Sequence, residues 1–90
     1  MKSSDAYKTI GEVSKLLQTP QHILRFWEES FIQVKPLKRK GGRRLYSEND
    51  INLLRRIKIL LTEEGYSIKG VKNYLSKNKI ENIKTEGKLK

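Results

Sequence analysis

A single small, mainly helical domain of about four helices with one β-hairpin is what this sequence predicts, from three observations. Apolar residues recur at helical spacing in four short segments, each opened by a capping residue. Between the second and third segments lies a stretch broken by a glycine pair and flanked by strand-compatible residues. The chain has 90 residues and a hydrophobic fraction of 36%. That suffices for one modest core, since domains commonly use about 100–150 residues.

Thr9-Ile10-Gly11-Glu12 has the spacing of a capping box, where hydroxyl and carboxylate satisfy each other's backbone donors. With Ile10, Val13, Leu16 and Leu17 it predicts a first helix over 10–17. Leu17-Gln18 turn the chain. Thr19 as N-cap and Pro20 at the first helical position start a second helix over 20–29. At about 100° per residue, Glu28, Gln21, Arg25, Glu29 and His22 fall within an arc of roughly 120°. Phe26, Ile23, Trp27 and Leu24 occupy the opposite side and are expected in the core. Two short helices joined by a tight turn, the second polar on its outer face, form a helix-turn-helix.

Val34-Lys35-Pro36-Leu37 reads as an edge strand, Gly41-Gly42 as the turn, and Arg43–Tyr46 as the return strand with Leu45 or Tyr46 inward. Ser47 caps a third helix with acids in its first turn and Ile51, Leu53, Leu54, Ile57, Leu60 and Leu61 toward the core. Glu63-Glu64-Gly65 ends it. Ser67 caps a fourth helix with Ile68, Val71, Tyr74 and Leu75 inward. The expected organisation is a flexible N-terminus over 1–6, a folded domain over 7–75 and a basic polar tail over 76–90, frayed or disordered.

Charge narrows the function. Lysine and arginine number 20 against 10 acids, a formal net charge of +10. Six of the bases (Lys35, Lys38, Arg39, Lys40, Arg43 and Arg44) lie in ten residues that hold no acid. Such a block repels itself unless a polyanion neutralises it. The absence of cysteine excludes thiolate metal sites, disulfides and a cysteine nucleophile, and a single histidine leaves no histidine cluster. No nucleophile–base–carboxylate set is present, and Ser47 and Ser67 are explained as caps. No enzyme, no cofactor and no metal are expected. The longest apolar run, Ile59-Leu60-Leu61, is far below the roughly 20 residues of a membrane helix. The start leads into no apolar stretch, so a cytoplasmic protein with no membrane partner is expected.

The polar face of the second helix is the candidate base reader. Arg25 can fork onto guanine O6 and N7, Gln21 can pair with adenine, and His22 is a hydrogen-bonding neighbour. Glu28 and Glu29 would repel phosphate and can pair with Arg25 three and four residues away. Lys38, Arg39, Lys40, Arg43 and Arg44 are candidate phosphate contacts. Tyr46 can donate its hydroxyl to phosphate or close the strand into the core. Lys69, beside the start of the fourth helix, is a further candidate phosphate clamp.

Tyr7-Lys8-Thr9-Ile10-Gly11-Glu12-Val13, Leu24-Arg25-Phe26-Trp27-Glu28, Gly42-Arg43-Arg44-Leu45-Tyr46 followed by Asp50, and Gly65-Tyr66-Ser67-Ile68 occur in one order. In that order and spacing they resemble the DNA-binding domain of the MerR family of bacterial transcriptional regulators, over residues 7–75. The resemblance implies a winged helix-turn-helix with the second helix in the major groove and the 35–46 hairpin as a wing on the phosphates. It implies a homodimer on a two-fold-symmetric operator, distortion of promoter DNA, RNA polymerase as a partner, and a place on the bacterial nucleoid. Where the family usually carries two tyrosines, this chain has Phe26-Trp27. The family's long dimer helix has no counterpart in the fifteen residues after Leu75, so the pair is expected to be weak or absent in free solution. An excisionase-like architectural DNA-binding protein is the alternative within DNA binding, and RNA binding is a third reading, for which a basic loop is adequate.

Overall fold

Two reciprocal capping boxes, one small sheet and one buried cluster organise the chain. The computed structural model describes residues 7–77. A strand β1 (Lys8–Thr9) leads directly into α1 (Ile10–Leu17). Thr9 Oγ1 accepts the Glu12 N–H at 3.2 Å, and Glu12 Oε1 accepts the Thr9 N–H at 2.8 Å. That backbone bond is the main reason the Glu12 carboxyl is held below the usual carboxylate value. α1 has the predicted bounds, and it ends on Gln18 in the left-handed region at φ 51°.

The turn to α2 (Gln21–Ser30) departs from the prediction. Pro20 occupies the N-cap position, and its carbonyl accepts from Ile23 and Leu24 N–H at 3.1 and 3.2 Å. Thr19 does not cap the helix. It is buried and donates its hydroxyl back to the Leu17 carbonyl, while its own carbonyl accepts the Ser14 hydroxyl. Thr19 therefore closes the turn at the end of α1, and the Lys58 ammonium also donates to the Leu17 carbonyl.

β2 (Leu37–Lys38) and β3 (Arg44–Tyr46) form the hairpin, and β1 adds to its far side, in the order β1-β3-β2. Both pairings are antiparallel, with Leu37 opposite Leu45, Lys38 opposite Arg44, and Lys8 opposite Tyr46. The first strand is shorter than the 34–37 reading. Val34 turns into the core, and the Lys35 N–H is taken by Asp50 Oδ1 at 3.1 Å, while Pro36 has no donor to give a ladder. The tip is a three-residue 3₁₀ turn, Lys40–Gly42, closed by the Arg39 N–H on the Arg43 carbonyl at 2.7 Å. Gly41 and Gly42 stand at φ 78° and 81°, where a side chain would be strained.

α3 (Glu48–Thr62) begins with the second box, in which Ser47 and Asp50 exchange bonds at 3.1 Å. α4 (Ile68–Lys77) is capped by Ser67 Oγ, which accepts the Gly70 N–H at 3.0 Å. It runs two residues past the predicted domain edge. The expectations for 1–6 and 78–90 lie outside the described residues.

Val13, Leu17, Leu24, Trp27, Phe31, Val34, Tyr46, Ile51, Leu54, Ile57, Leu60, Val71 and Leu75 form one buried cluster, with contributions from every helix. Phe26 contradicts the sequence reading: it is 50% exposed. The buried stripe of α2 centres on Leu24 and Trp27, and Phe26, roughly 100° from Trp27, falls at its edge. Phe31, just past the helix end, is fully buried.

Candidate nucleic-acid interface

The interface is assembled from the exposed side of α2 and the hairpin. Gln21, His22, Arg25 and Glu29 are all exposed, whereas Glu28 in the same arc is half-buried. The Gln21 side-chain amide lies against the start of α1, where an added Cβ on Gly11 would stand 3.7 Å from its Nε2. Lys38, Arg39, Lys40 and Arg43 are exposed along the hairpin.

Two clefts show how these elements meet. One, of about 280 Å³, is lined by Thr9, Ile10, Arg25, Gly42, Arg43 and Arg44. The start of α1, the middle of α2 and the hairpin thus converge there, with three guanidinium side chains on one side of the molecule. The other, of about 560 Å³, lies on the hairpin among Arg39, Lys40, Arg43 and Leu45. Lys69 is exposed in the first turn of α4 and lines neither cleft.

Glu28 has a partner that helical spacing did not indicate. Its Oε2 accepts from Arg44 Nε at 2.9 Å, and its Oε1 accepts the Tyr46 hydroxyl at 2.9 Å. The carboxylate side chain is 8% exposed and that of Arg44 29%. Tyr46 is fully buried, so of the two roles open to it the structure places it in the core, with its hydroxyl already engaged. Burial pushes the Tyr46 phenol well above its usual range, and the bond to Glu28 adds to the shift. The same carboxylate raises the Arg44 guanidinium, chiefly through their hydrogen bond. The signal for this triad is the two-residue spacing of Arg44 and Tyr46, which puts both on one face of a strand. Which helix that face meets is not encoded in the spacing.

Among the described residues no group of three or more His, Cys, Asp or Glu is placed to hold a metal ion. No helix among them is long and apolar enough to cross a membrane.

Comparison with known proteins agrees with this geometry. The family described as MerR HTH family regulatory protein matches residues 8–78. The HTH-type transcriptional regulator GlnR of Bacillus anthracis is 37% identical over 83 residues, covering 90% of this chain and 63% of the relative. The HTH-type transcriptional regulator MlrA of Escherichia coli (strain K12) is 34% identical over 76 residues, covering 84% of this chain and 31% of the relative. The chain thus spans less than two thirds of either relative. The crystal structure of HiNmlR, a MerR family regulator lacking the sensor domain, bound to promoter DNA, superposes with a TM-score of 0.69 at 16% identity, over 91% of this chain and 69% of that one. The shared fold is a winged helix-turn-helix: α1 and α2 are its two helices and the β2–β3 hairpin is its wing. With the family pattern running through all four helices and the sheet, the chain belongs to the MerR family of helix-turn-helix regulatory proteins.

Proposed function

We propose that the protein is a sequence-specific, double-stranded-DNA-binding transcriptional regulator, with α2 in the major groove and the wing on the flanking phosphates. The observation that carries this is the cleft shared by Arg25 of α2 and Arg43 of the wing, because one duplex face can then touch both. A helix fills the major groove and reads base edges there, and a neighbouring cationic loop is then within reach of the backbone. Gln21, His22 and Arg25 are the base-reading side chains, with Arg25 suited to guanine. Lys38, Arg39, Lys40 and Arg43 neutralise phosphates without reading sequence. Lys69 is a further phosphate contact at the start of α4.

The protein acts on DNA as a symmetric pair over two half-sites related by a two-fold axis. RNA polymerase is engaged through the promoter so distorted, and the site of action is the bacterial nucleoid. The relatives named as transcriptional regulators and the promoter-bound fold neighbour support DNA-binding transcriptional regulation.

Selection of bound sequences from random duplex DNA tests it directly. The expected result is an inverted repeat with a guanine in each half-site, lost as an invariant feature when Arg25 is replaced. Recovery of no preferred sequence would overturn the proposal, and tandem direct repeats would instead indicate an architectural role in recombination.

A further inference from the structure

We infer that Glu28 is a positioning residue for DNA binding: it braces the wing against α2 and withdraws Arg44 from the charges that neutralise phosphate. The inference rests on the DNA-binding reading above and divides the labour within it.

The argument begins with strand geometry. Residues two apart on β3 share a face, so Arg44 and Tyr46 both turn toward α2 while Arg43 stays exposed. Glu28 sits three residues after Arg25 and spends each carboxylate oxygen on one of that pair, at 2.9 Å in both cases. β3 is the central strand, bonded to β1 on one side and β2 on the other. A grip on β3 is therefore a grip on the whole wing. Tyr46 anchors the inner end in the core, and Arg44 holds the point where the wing leaves it.

The same geometry sets the charge count. A carboxylate only 8% exposed cannot lose its cationic partner without leaving a buried charge unpaired, which is strongly unfavourable. Arg44 therefore stays with Glu28 when DNA arrives. Its remaining Nη donors can still hydrogen-bond a phosphate oxygen, but the ion pair has no net charge, so such a bond releases no counterion from the duplex. Arg43, in the same cleft, forms no ion pair with any of the described residues and keeps its full charge for phosphate. Two adjacent arginines of equal intrinsic charge thus do different things.

Salt dependence separates them. The full chain and its variants are titrated against an unselected duplex over a range of salt concentrations, and against the duplex recovered by selection at one. Each phosphate neutralised contributes about 0.9 to the slope of log affinity on log salt. Arg43→Gln should flatten the slope by about 0.9, whereas Glu28→Gln combined with Arg44→Gln, which removes the pair without changing the net charge, should leave it unchanged and weaken binding to the selected duplex about tenfold more than to the unselected one. Glu28→Gln should free Arg44 and steepen the slope by about 0.9, and Glu28→Gln combined with Arg44→Gln should restore the original value. Tyr46→Phe, which removes one hydroxyl, should reduce preference for the selected duplex without altering the slope. Melting followed by circular dichroism accompanies each variant, and the double variant, which leaves no charge unpaired, carries the slope comparison if Glu28→Gln fails to fold. Equal flattening by Arg43→Gln and by the double variant would overturn the inference while leaving DNA binding intact. Failure of the unmodified chain to bind any duplex would overturn the DNA-binding reading itself.

Discussion

Arg25 stands where a base reader has to stand: exposed in the middle of α2, at the cleft where the wing begins. Its replacement by alanine should cost about 1–3 kcal/mol on the preferred duplex and far less on unrelated DNA, since a bidentate guanine contact is worth about that much in discrimination. Competition titration reads the difference, and an equal loss on every duplex would remove the base-reading role. The exposure of Gln21, His22 and Arg25 was legible in advance because their angular positions lie away from the buried stripe. Phe26 and Glu28 were not. Phe26 lies at the edge of the buried stripe, where a few tens of degrees decide between core and solvent. Glu28 had Arg25 as its nearest helical neighbour, but two fixed donors from β3 hold it instead. A well-placed long-range partner prevails over an exposed helical pair, which is worth only about 0.2–0.5 kcal/mol.

Three of the four helices were legible at their starts because caps are local chemistry; at α2, Thr19 closes the preceding turn instead. Thr9, Ser47 and Ser67 all cap as their spacing requires. The strands were not, since two or three residues carry too little alternation to register and pairing depends on a distant partner. β1 overlaps the capping box of α1, and only the edge of β3 makes it a strand. Asp50 joins these elements. It closes the α3 box through Oδ2 and takes the Lys35 N–H through Oδ1, tying the entry of the wing to the start of α3. Asp50→Ala should therefore leave backbone donors without partners at two elements and cost about 2–3 kcal/mol of stability, more than an ordinary cap at about 1 kcal/mol. Urea unfolding measures this; a loss no greater than that of an exposed cap would mean water replaces the carboxylate at Lys35.

For the molecule entire, the decisive property is where its charge resides. The stretch 35–44 carries six of the twenty bases and no acid, and the fold holds one of those six against Glu28. Binding to duplex DNA should then show a salt slope of about −4 to −5 for each domain, as expected from Lys38, Arg39, Lys40 and Arg43 of the wing and Lys69 of α4 on phosphate. A slope shallower than about −2 in fluorescence titrations would mean that the wing stays off the backbone.

Composition, capping chemistry and helical periodicity were enough to define a basic domain of four helices with a hairpin, because each depends on residues within a few positions of one another. Chain packing alone decided that Arg25 and Arg43 share a cleft, that Arg44 turns inward and that β1 joins the sheet. Those outcomes depend on how separate elements dock, and docking is governed by burial of a shared core and by buried hydrogen-bond partners sixteen and eighteen residues apart along the chain.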